Sequence, residues 1–359
     1  MRTTQVKLSS EYNIIIGKGA IEDLPIHLPE DKYERILLLM DTNVERLYGE
    51  RITNILINTG RQITKYVIEA GEKSKSFHEL ERLLNFMVNS GITRSDALLA
   101  FGGGVTGDLG GFAAGVYQRG IDLIQVPTTL LSAVDSSVGG KSAVNMESGK
   151  NMAGIFKQPA LVICDASLFK SLADDEFSSG VAEIIKYAVL FDKDLLERAK
   201  IGLSKDDKDL DEIIEKCVQF KANIVSEDEF DKGKRHLLNL GHTFAHAIER
   251  ASGYSVGHGN AVAMGLGIMA RACLRKGITD LNTVCDIETA LSVNGLPVNT
   301  SFTSKELIKY AKMDKKSNGN SIDIVVIKGI EDCKTKRIDF EELGEFANLG
   351  VIVDDQSKR

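Results

Sequence analysis

Short apolar runs alternate with helical spacings through the first half of the chain. Ile36–Asp41 reads ILLLMD, an unbroken apolar run of the kind a parallel strand buried on both faces shows. Ile63–Ala70 (ITKYVIEA) is β-branched and also predicts a strand. FHELERLLNFMVNSG then changes to helical spacing and closes on a glycine. ALLAFGGG, a helix over about Asp108–Tyr117, the strand IDLIQVP and later LVICD continue the alternation. Strands alternating with helices predict βαβ units and a parallel sheet.

From about Leu172 the spacing becomes mostly helical until SIDIVVIKG (Ser321–Gly329). AVAMGLGIMARACL is rich in Ala, Gly and Met, which suits a closely packed buried helix. GLSKDDKDLD is charged and reads as an exposed connection. The pattern predicts an α/β domain over residues 1–172 and a mostly α-helical domain over 173–359. The length of 359 residues accommodates both, at roughly 100–200 residues per domain.

Composition narrows the function classes. Hydrophobic content of 43% and charged content of 26% describe an ordinary globular protein. A net charge of −7 argues against non-specific nucleic-acid binding. The cysteines Cys164, Cys217, Cys273, Cys285 and Cys333 form no Cys-x-x-Cys pair, which suits reduced thiols in the cytoplasm. The opening MRTTQVKLSSEYNIIIGKGA lacks a signal-like apolar core, and no run reaches about 18 apolar residues. Neither export nor a membrane partner is expected.

FGGGVTGDLGGF runs from a strand into a helix. Glycines let the backbone approach a phosphate, and a helix N-terminus offers free N–H groups. A tight turn would use the same residues, and the run departs from G-x-G-x-x-G. Asp41-Thr42-Asn43, Gly71-Glu72-Lys73-Ser74-Lys75 and Pro127-Thr128-Thr129 each end a predicted strand, where parallel sheets bind ligands. DSSVGGKSAV and SGKNMAG place Asp135, Lys141, Lys150 and Asn151 in a Gly/Ser-rich stretch. Its lysines suit either an anion or plain solvent. Ile214, Val218, Lys221 and Val225 share a helical stripe, so Lys221 is either a buried, partnered cation or a snorkelling edge residue.

Three of the six histidines, His242, His246 and His258, cluster in LLNLGHTFAHAIE and GYSVGHGNAV. His242 and His246 share a helical face at a spacing of four. Glu183 lies on a predicted helix in SSGVAEIIKYAVL, with Lys186 facing the same way. Two imidazoles plus a carboxylate make the ligand set of a catalytic zinc site with one open position. A structural histidine pair is the competing reading. Arg235 and Asn239 in RHLLNLGH would share a face if a helix already begins there. With Lys315 and Lys316, the cations point to a small anionic substrate.

Together these segments resemble the 3-dehydroquinate synthase family over nearly the whole chain. The likeness is strongest in GGGVTGDLGGFAAGVYQRGIDLIQVPTTLLSAVDSSVGGKSAVN, SGKNMAGIFKQP, AEIIKYA, LLNLGHTFAHAIE and HGNAVAMG. The resemblance implies a homodimer with an N-terminal NAD-binding domain and a helical metal domain. It implies conversion of 3-deoxy-D-arabino-heptulosonate 7-phosphate to 3-dehydroquinate and phosphate. The implied steps are transient oxidation by NAD, β-elimination of phosphate, reduction and intramolecular aldol closure. The cofactors would be NAD and Zn²⁺, which Co²⁺ can replace.

Residue by residue, the likeness makes Glu183, His242 and His258 the metal ligands and gives His246 a proton-transfer role, with Lys141 and Asp231 beside it in catalysis. Lys141, Asn151, Lys186, Lys221, Arg235, Asn239 and one of Lys315 and Lys316 match substrate-binding positions. Arg119 matches an arginine that reaches the partner subunit's substrate phosphate. NAD positions would be Asp41, Asn43, Glu72, Lys75, Gly103, Gly104, Asp108, Thr128, Thr129, Asp135, Lys141, Lys150 and Ser171. Asp231 and Asn260 stand where the family usually has Glu, and DDEF lacks an arginine usual before Glu176. The alternatives are a related sugar-phosphate cyclase, making an inosose, a valiolone or an aminodehydroquinate; a metal-dependent alcohol or glycerol dehydrogenase; and a silent nucleotide-binding regulator. Lys141, Lys221 and Arg235 speak against an uncharged alcohol as substrate, and the intact ligand set against the regulator.

Overall fold

Strands β1 (Arg2–Val6), β2 (Tyr12–Ile16), β3 (Arg35–Asp41), β4 (Gln62–Ile68), β5 (Ala97–Gly102) and β6 (Asp122–Pro127) lead to a ribbon of β7 (Lys141–Met146) and β8 (Gly149–Phe156), and then to β9 (Leu161–Cys164). All but the ribbon join one seven-stranded sheet in the order β1-β2-β9-β6-β5-β3-β4. Every neighbouring pair from β2 to β4 is parallel, and β1 closes one edge antiparallel. The computed structural model describes residues 1–8, 10–314 and 320–354. Lys315 and Lys316 lie outside the described residues.

Burial explains the apolar runs. Ile36–Met40 of β3 and all of β5 are buried, because an interior parallel strand is covered on both faces. Leu37, Leu39 and Leu98 pack with Leu83 and Leu109 from the helices Phe77–Asn89 and Gly104–Val116. Burying each such side chain contributes about 1.5–3 kcal/mol. Asp41 starts the helix Thr42–Ile57 by accepting from the Asn43 and Val44 amides. Ser76 does the same for the helix Phe77–Asn89 through Glu79 N.

The chain divides into two compact units. One is Met1–Ala173 with Lys208–Phe230; the other is Asp174–Asp207 with Asp231–Arg359. A contiguous division at 172/173 misses the return of the helix Leu210–Glu227 to the first unit. That helix is fixed there by Arg2–Glu215 at 2.5 Å and Lys221–Asp135 at 2.9 Å. The helix expected from Asp108 begins at Gly104, one turn earlier. The Gly/Ser-rich stretch forms a ribbon: Lys141 opens β7, and Lys150 and Asn151 lie in β8. Val144 is buried there and anchors the ribbon to the core.

The second unit is mainly helical, with an antiparallel ribbon of β10 (Ser321–Gly329) and β11 (Asp332–Asp339). Its central helix, His258–Arg275, is the Ala/Gly/Met segment, buried from Ala261 to Cys273. Two glycines set how closely its neighbours approach. A Cβ on Gly259 would lie 2.2 Å from Ser179 Cα, and one on Gly265 2.2 Å from Gly241 O. The helix Asp174–Phe191 and the turn before His242 therefore sit nearly in backbone contact with it. Arg235 and Asn239 do not share a face. Lys234–Asn239 is a 3₁₀ turn of three residues per turn, which buries Arg235 and exposes Asn239.

Candidate metal centre and nucleotide-binding residues

Glu183, His242 and His258 come from three different helix segments of the second unit, and one donor atom from each lies within 4.8 Å of the others. Glu183 Oε1 is 3.2 Å from His258 Nε2 and 3.5 Å from His242 Nε2. Donors each about 2.0–2.2 Å from a tetrahedral zinc stand roughly 3.4 Å apart, so the spacing fits. His242 Nδ1 lies 3.1 Å from the Leu240 carbonyl. A carbonyl only accepts, so Nδ1 carries a hydrogen, which leaves Nε2 as the atom that would meet a metal ion beside Glu183. Glu249 Oε1 stands 3.6 Å behind His258 Nδ1, and Lys186 Nζ 2.5 Å from Glu183 Oε2.

The charges ask for a cation. Glu183 is fully buried, and burial alone raises a carboxyl. Lys186, then the His242 and His258 contacts, overcome this and hold it well below the usual range. Burial works against a proton on His258, yet hydrogen bonds and charges from Glu183 and Glu249 push it up to about 10. Glu183 Oε2 has no well-directed hydrogen bond, because Lys186 approaches off its hydrogen-bonding direction. A divalent ion would take the place of the proton and satisfy the carboxylate.

His246 stays outside this cluster. Its ring centre is 5.6 Å from that of His242 at an interplanar angle of 86°. With Asn239, His242, Thr243 and Asp323 it borders a cavity of about 140 Å³. Lys186, expected at substrate, is buried and paired with Glu183. Asp231 adopts a left-handed backbone, φ +57°. Glu249 went unread in the sequence, although it follows His242 by seven positions and so shares its helical face.

In the first unit, Asp41 ends β3, and Glu72, Gly103, Gly104, Thr128 and Thr129 follow the carboxyl ends of β4, β5 and β6, neighbours of β3 in the sheet. Lys75 is buried and pairs with Asp108 and with Asn151 Oδ1. Burial raises the Asp108 carboxyl, and Lys75 reverses only part of that. Asn145 links the group: it donates 2.7 Å to Glu72 Oε1 and accepts from Asn151 N at 2.9 Å. A search for charged residues passes over this amide. Lys221 is a buried, partnered cation, 2.6 Å from Asp135 O and 2.9 Å from Oδ1. Ser171 Oγ meets the Tyr48 hydroxyl at 2.8 Å. Asp41 Oδ1 is used by its helix cap, and Oδ2 faces Thr106 at 3.5 Å. Asn43 and Lys141 are exposed, Lys150 half-buried, and Arg119 exposed in a turn with φ +70°.

A parallel α/β unit followed by a mainly helical one is a fold with solved examples. The chain matches 2-deoxy-scyllo-inosose synthase, complexed with carbaglucose-6-phosphate, NAD+ and Co2+, with a TM-score of 0.86 at 24% identity over 98% of this chain and 100% of that one. It matches 2-epi-5-epi-valiolone synthase from Streptomyces hygroscopicus subsp. jinggangensis, with NAD+ and Zn2+ bound, at 0.86 and 22% over 96% and 98%. The NADH-dependent butanol dehydrogenase A of Thermotoga maritima gives 0.67 at 13% over 98% of each chain. The fold is thus that of sugar cyclases and, more distantly, alcohol dehydrogenases.

Sequence profiles described as 3-dehydroquinate synthase N-terminal and C-terminal match residues 65–179 and 180–317. The 3-dehydroquinate synthase of Alkaliphilus metalliredigens is 40% identical over 343 residues, 94% of this chain and 95% of that protein. That of Clostridium kluyveri is 41% identical over 340 residues, 93% and 95% respectively. The chain belongs to the 3-dehydroquinate synthase family.

Proposed function

We propose that the chain catalyses the NAD- and metal-dependent conversion of 3-deoxy-D-arabino-heptulosonate 7-phosphate to 3-dehydroquinate and phosphate. The observation that carries the reading is the Glu183–His242–His258 cluster, with Lys186 paired to its carboxylate, in a chain related along nearly its whole length to 3-dehydroquinate synthases. When bound, NAD supplies a reversible hydride acceptor and Zn²⁺ or Co²⁺ a Lewis acid for the substrate hydroxyls.

Glu183, His242 and His258 hold the ion; the buried Lys186 keeps Glu183 ionised. The residues after β3, β4, β5 and β6 hold the dinucleotide, with Asp108, Asp135, Lys150 and Ser171. Lys141, Asn151, Lys221, Arg235 and Asn239 bind the doubly anionic substrate through charge-assisted hydrogen bonds. His246 moves a proton, reaching the cavity from one helical turn beyond a ligand. Asp231 and Lys141 serve the remaining proton transfers. Arg119 serves the partner's substrate in a homodimer, and its exposure suits that role. No described helix is long and apolar enough to cross a membrane. None of the five cysteines is in a disulfide, which suits the reducing cytoplasm. Phosphate release from the heptulosonate phosphate should stop with chelator and return with Zn²⁺. Release undiminished after the metal is stripped refutes the metal role.

A further inference from the structure

The segment between the helix Leu210–Glu227 and the ligand His242 is irregular, and one histidine holds it. Asp231 has φ +57°, a left-handed conformation that a non-glycine residue keeps only where its surroundings hold it. Its Oδ1 is shut off from solvent. An aspartate carboxylate is a single methylene from the backbone, so its position follows the backbone closely. Two hydrogen bonds from His236 close this turn. Its amide donates to Gly233 O at 3.0 Å, and its Nε2 lies 3.2 Å from Asp231 O. A carbonyl only accepts, so Nε2 carries the hydrogen and the ring clamps the strained residue.

The other edge of the ring faces Asp323. His236 Nδ1 lies 3.9 Å from Asp323 Oδ2, too long for a hydrogen bond. Asp323 is itself fixed by Arg337 Nη1 at 3.1 Å, and Arg337 Nε donates to Ser321 Oγ at 3.0 Å. Asp323 also borders the cavity that His242 and His246 line. The ring of His236 thus lies between Asp231 and a residue of that cavity's wall.

We infer that His236 is a positioning residue: it fixes the backbone of Asp231 for proton transfer through the Nε2–H bond to the Asp231 carbonyl. The inference rests on the proposed role of Asp231. His236→Ala removes the clamp, while His236→Gln returns an N–H near the position of Nε2. Full-length, zinc-loaded enzyme carrying each change is assayed by phosphate release, zinc content and amide hydrogen exchange. His236→Ala should lower kcat about 10- to 100-fold, as misplacement of a reacting group does, with KM and bound zinc unchanged. Exchange across residues 229–236 should quicken, and His236→Gln should restore both readouts in large part.

Adding His236→Ala to Asp231→Asn should lower kcat less than about twofold further, because the clamp acts only through that carboxylate. A full multiplicative loss in the double variant, unchanged exchange, or loss of zinc from His236→Ala overturns the inference while leaving the role of Asp231 intact. Undiminished turnover by Asp231→Asn instead removes Asp231 from the reaction, and the inference falls with it. Parent enzyme that releases no phosphate defeats the synthase reading itself. The exchange measurement still reports the clamp in that case.

Discussion

Replacing Gly259 with alanine perturbs the metal centre without touching a ligand. The new Cβ would lie 2.2 Å from Ser179 Cα, 2.8 Å from its Oγ and 2.9 Å from its Cβ. Ordinary carbon contacts are about 3.5–4.0 Å, so the helices His258–Arg275 and Asp174–Phe191 must separate by roughly 1.3 Å or more. The nearest obstacle is backbone, which no rotamer change can relieve. Overpacking of this kind costs about 1–3 kcal/mol, and the better helix propensity of alanine returns at most about 1 kcal/mol. A net loss of up to about 3 kcal/mol follows. The same displacement carries His258 away from Glu183, now 3.2 Å apart. Zinc affinity should fall about 10- to 100-fold, the scale of a disturbed supporting shell. Urea unfolding of the metal-free protein measures the first effect, and chelator competition the second. Gly344→Ala is the control: its Cβ meets nothing within 4 Å, so stability should hold or rise. Wild-type zinc affinity and stability in Gly259→Ala would refute the close-approach argument.

His246→Ala should keep its zinc and lose about 100-fold or more in turnover; metal loss in this variant would make His246 a ligand instead. Lys221→Met keeps the stem packed but leaves Asp135 without its charged partner. It should cost about 1–3 kcal/mol in denaturant titration and lower turnover far more than NAD affinity, and equal losses in both would contradict the substrate assignment. With His258 pushed up to about 10 in the metal-free cluster, its contribution to stability is full below the ordinary histidine range near 6.5. It is lost as pH rises through about 10. Zinc needs the neutral ring, so calorimetric zinc affinity should increase between about pH 6 and 8, with protons released to buffer; a flat profile contradicts this.

The parallel sheet was legible because burial on both faces leaves a plain signature, as in ILLLMD and ALLAFG. The stripe of Ile214, Val218, Lys221 and Val225 was equally readable, and the buried lysine has the partner its position demands. The helix carrying it was still assigned to the wrong unit. Its membership is set by Arg2–Glu215 and Lys221–Asp135, contacts distant in the chain. The β7–β8 ribbon was hidden because its glycines and serines resemble a loop, whereas Val144 and the backbone pairing decide its form. Arg235 and Asn239 would share a face only if the helix began before them, and it begins at His242, because Gly241 separates a 3₁₀ turn from the helix. Spacing alone left open which two histidines join Glu183. The family likeness chose His242 and His258, and the geometry brings that pair to the carboxylate. Supporting groups such as Glu249, Asn145 and His236 escaped notice because they act on other residues rather than on a ligand.

The central claim is that hydride leaves the substrate only to permit elimination and then returns. Phosphate and NADH should therefore be followed together, with the heptulosonate phosphate in excess over NAD. Many phosphates released per NAD, with no steady rise in NADH absorbance, is the predicted result. NADH accumulating in step with substrate consumption, with no phosphate released, would contradict the synthase account and make the chain a dehydrogenase of the same fold.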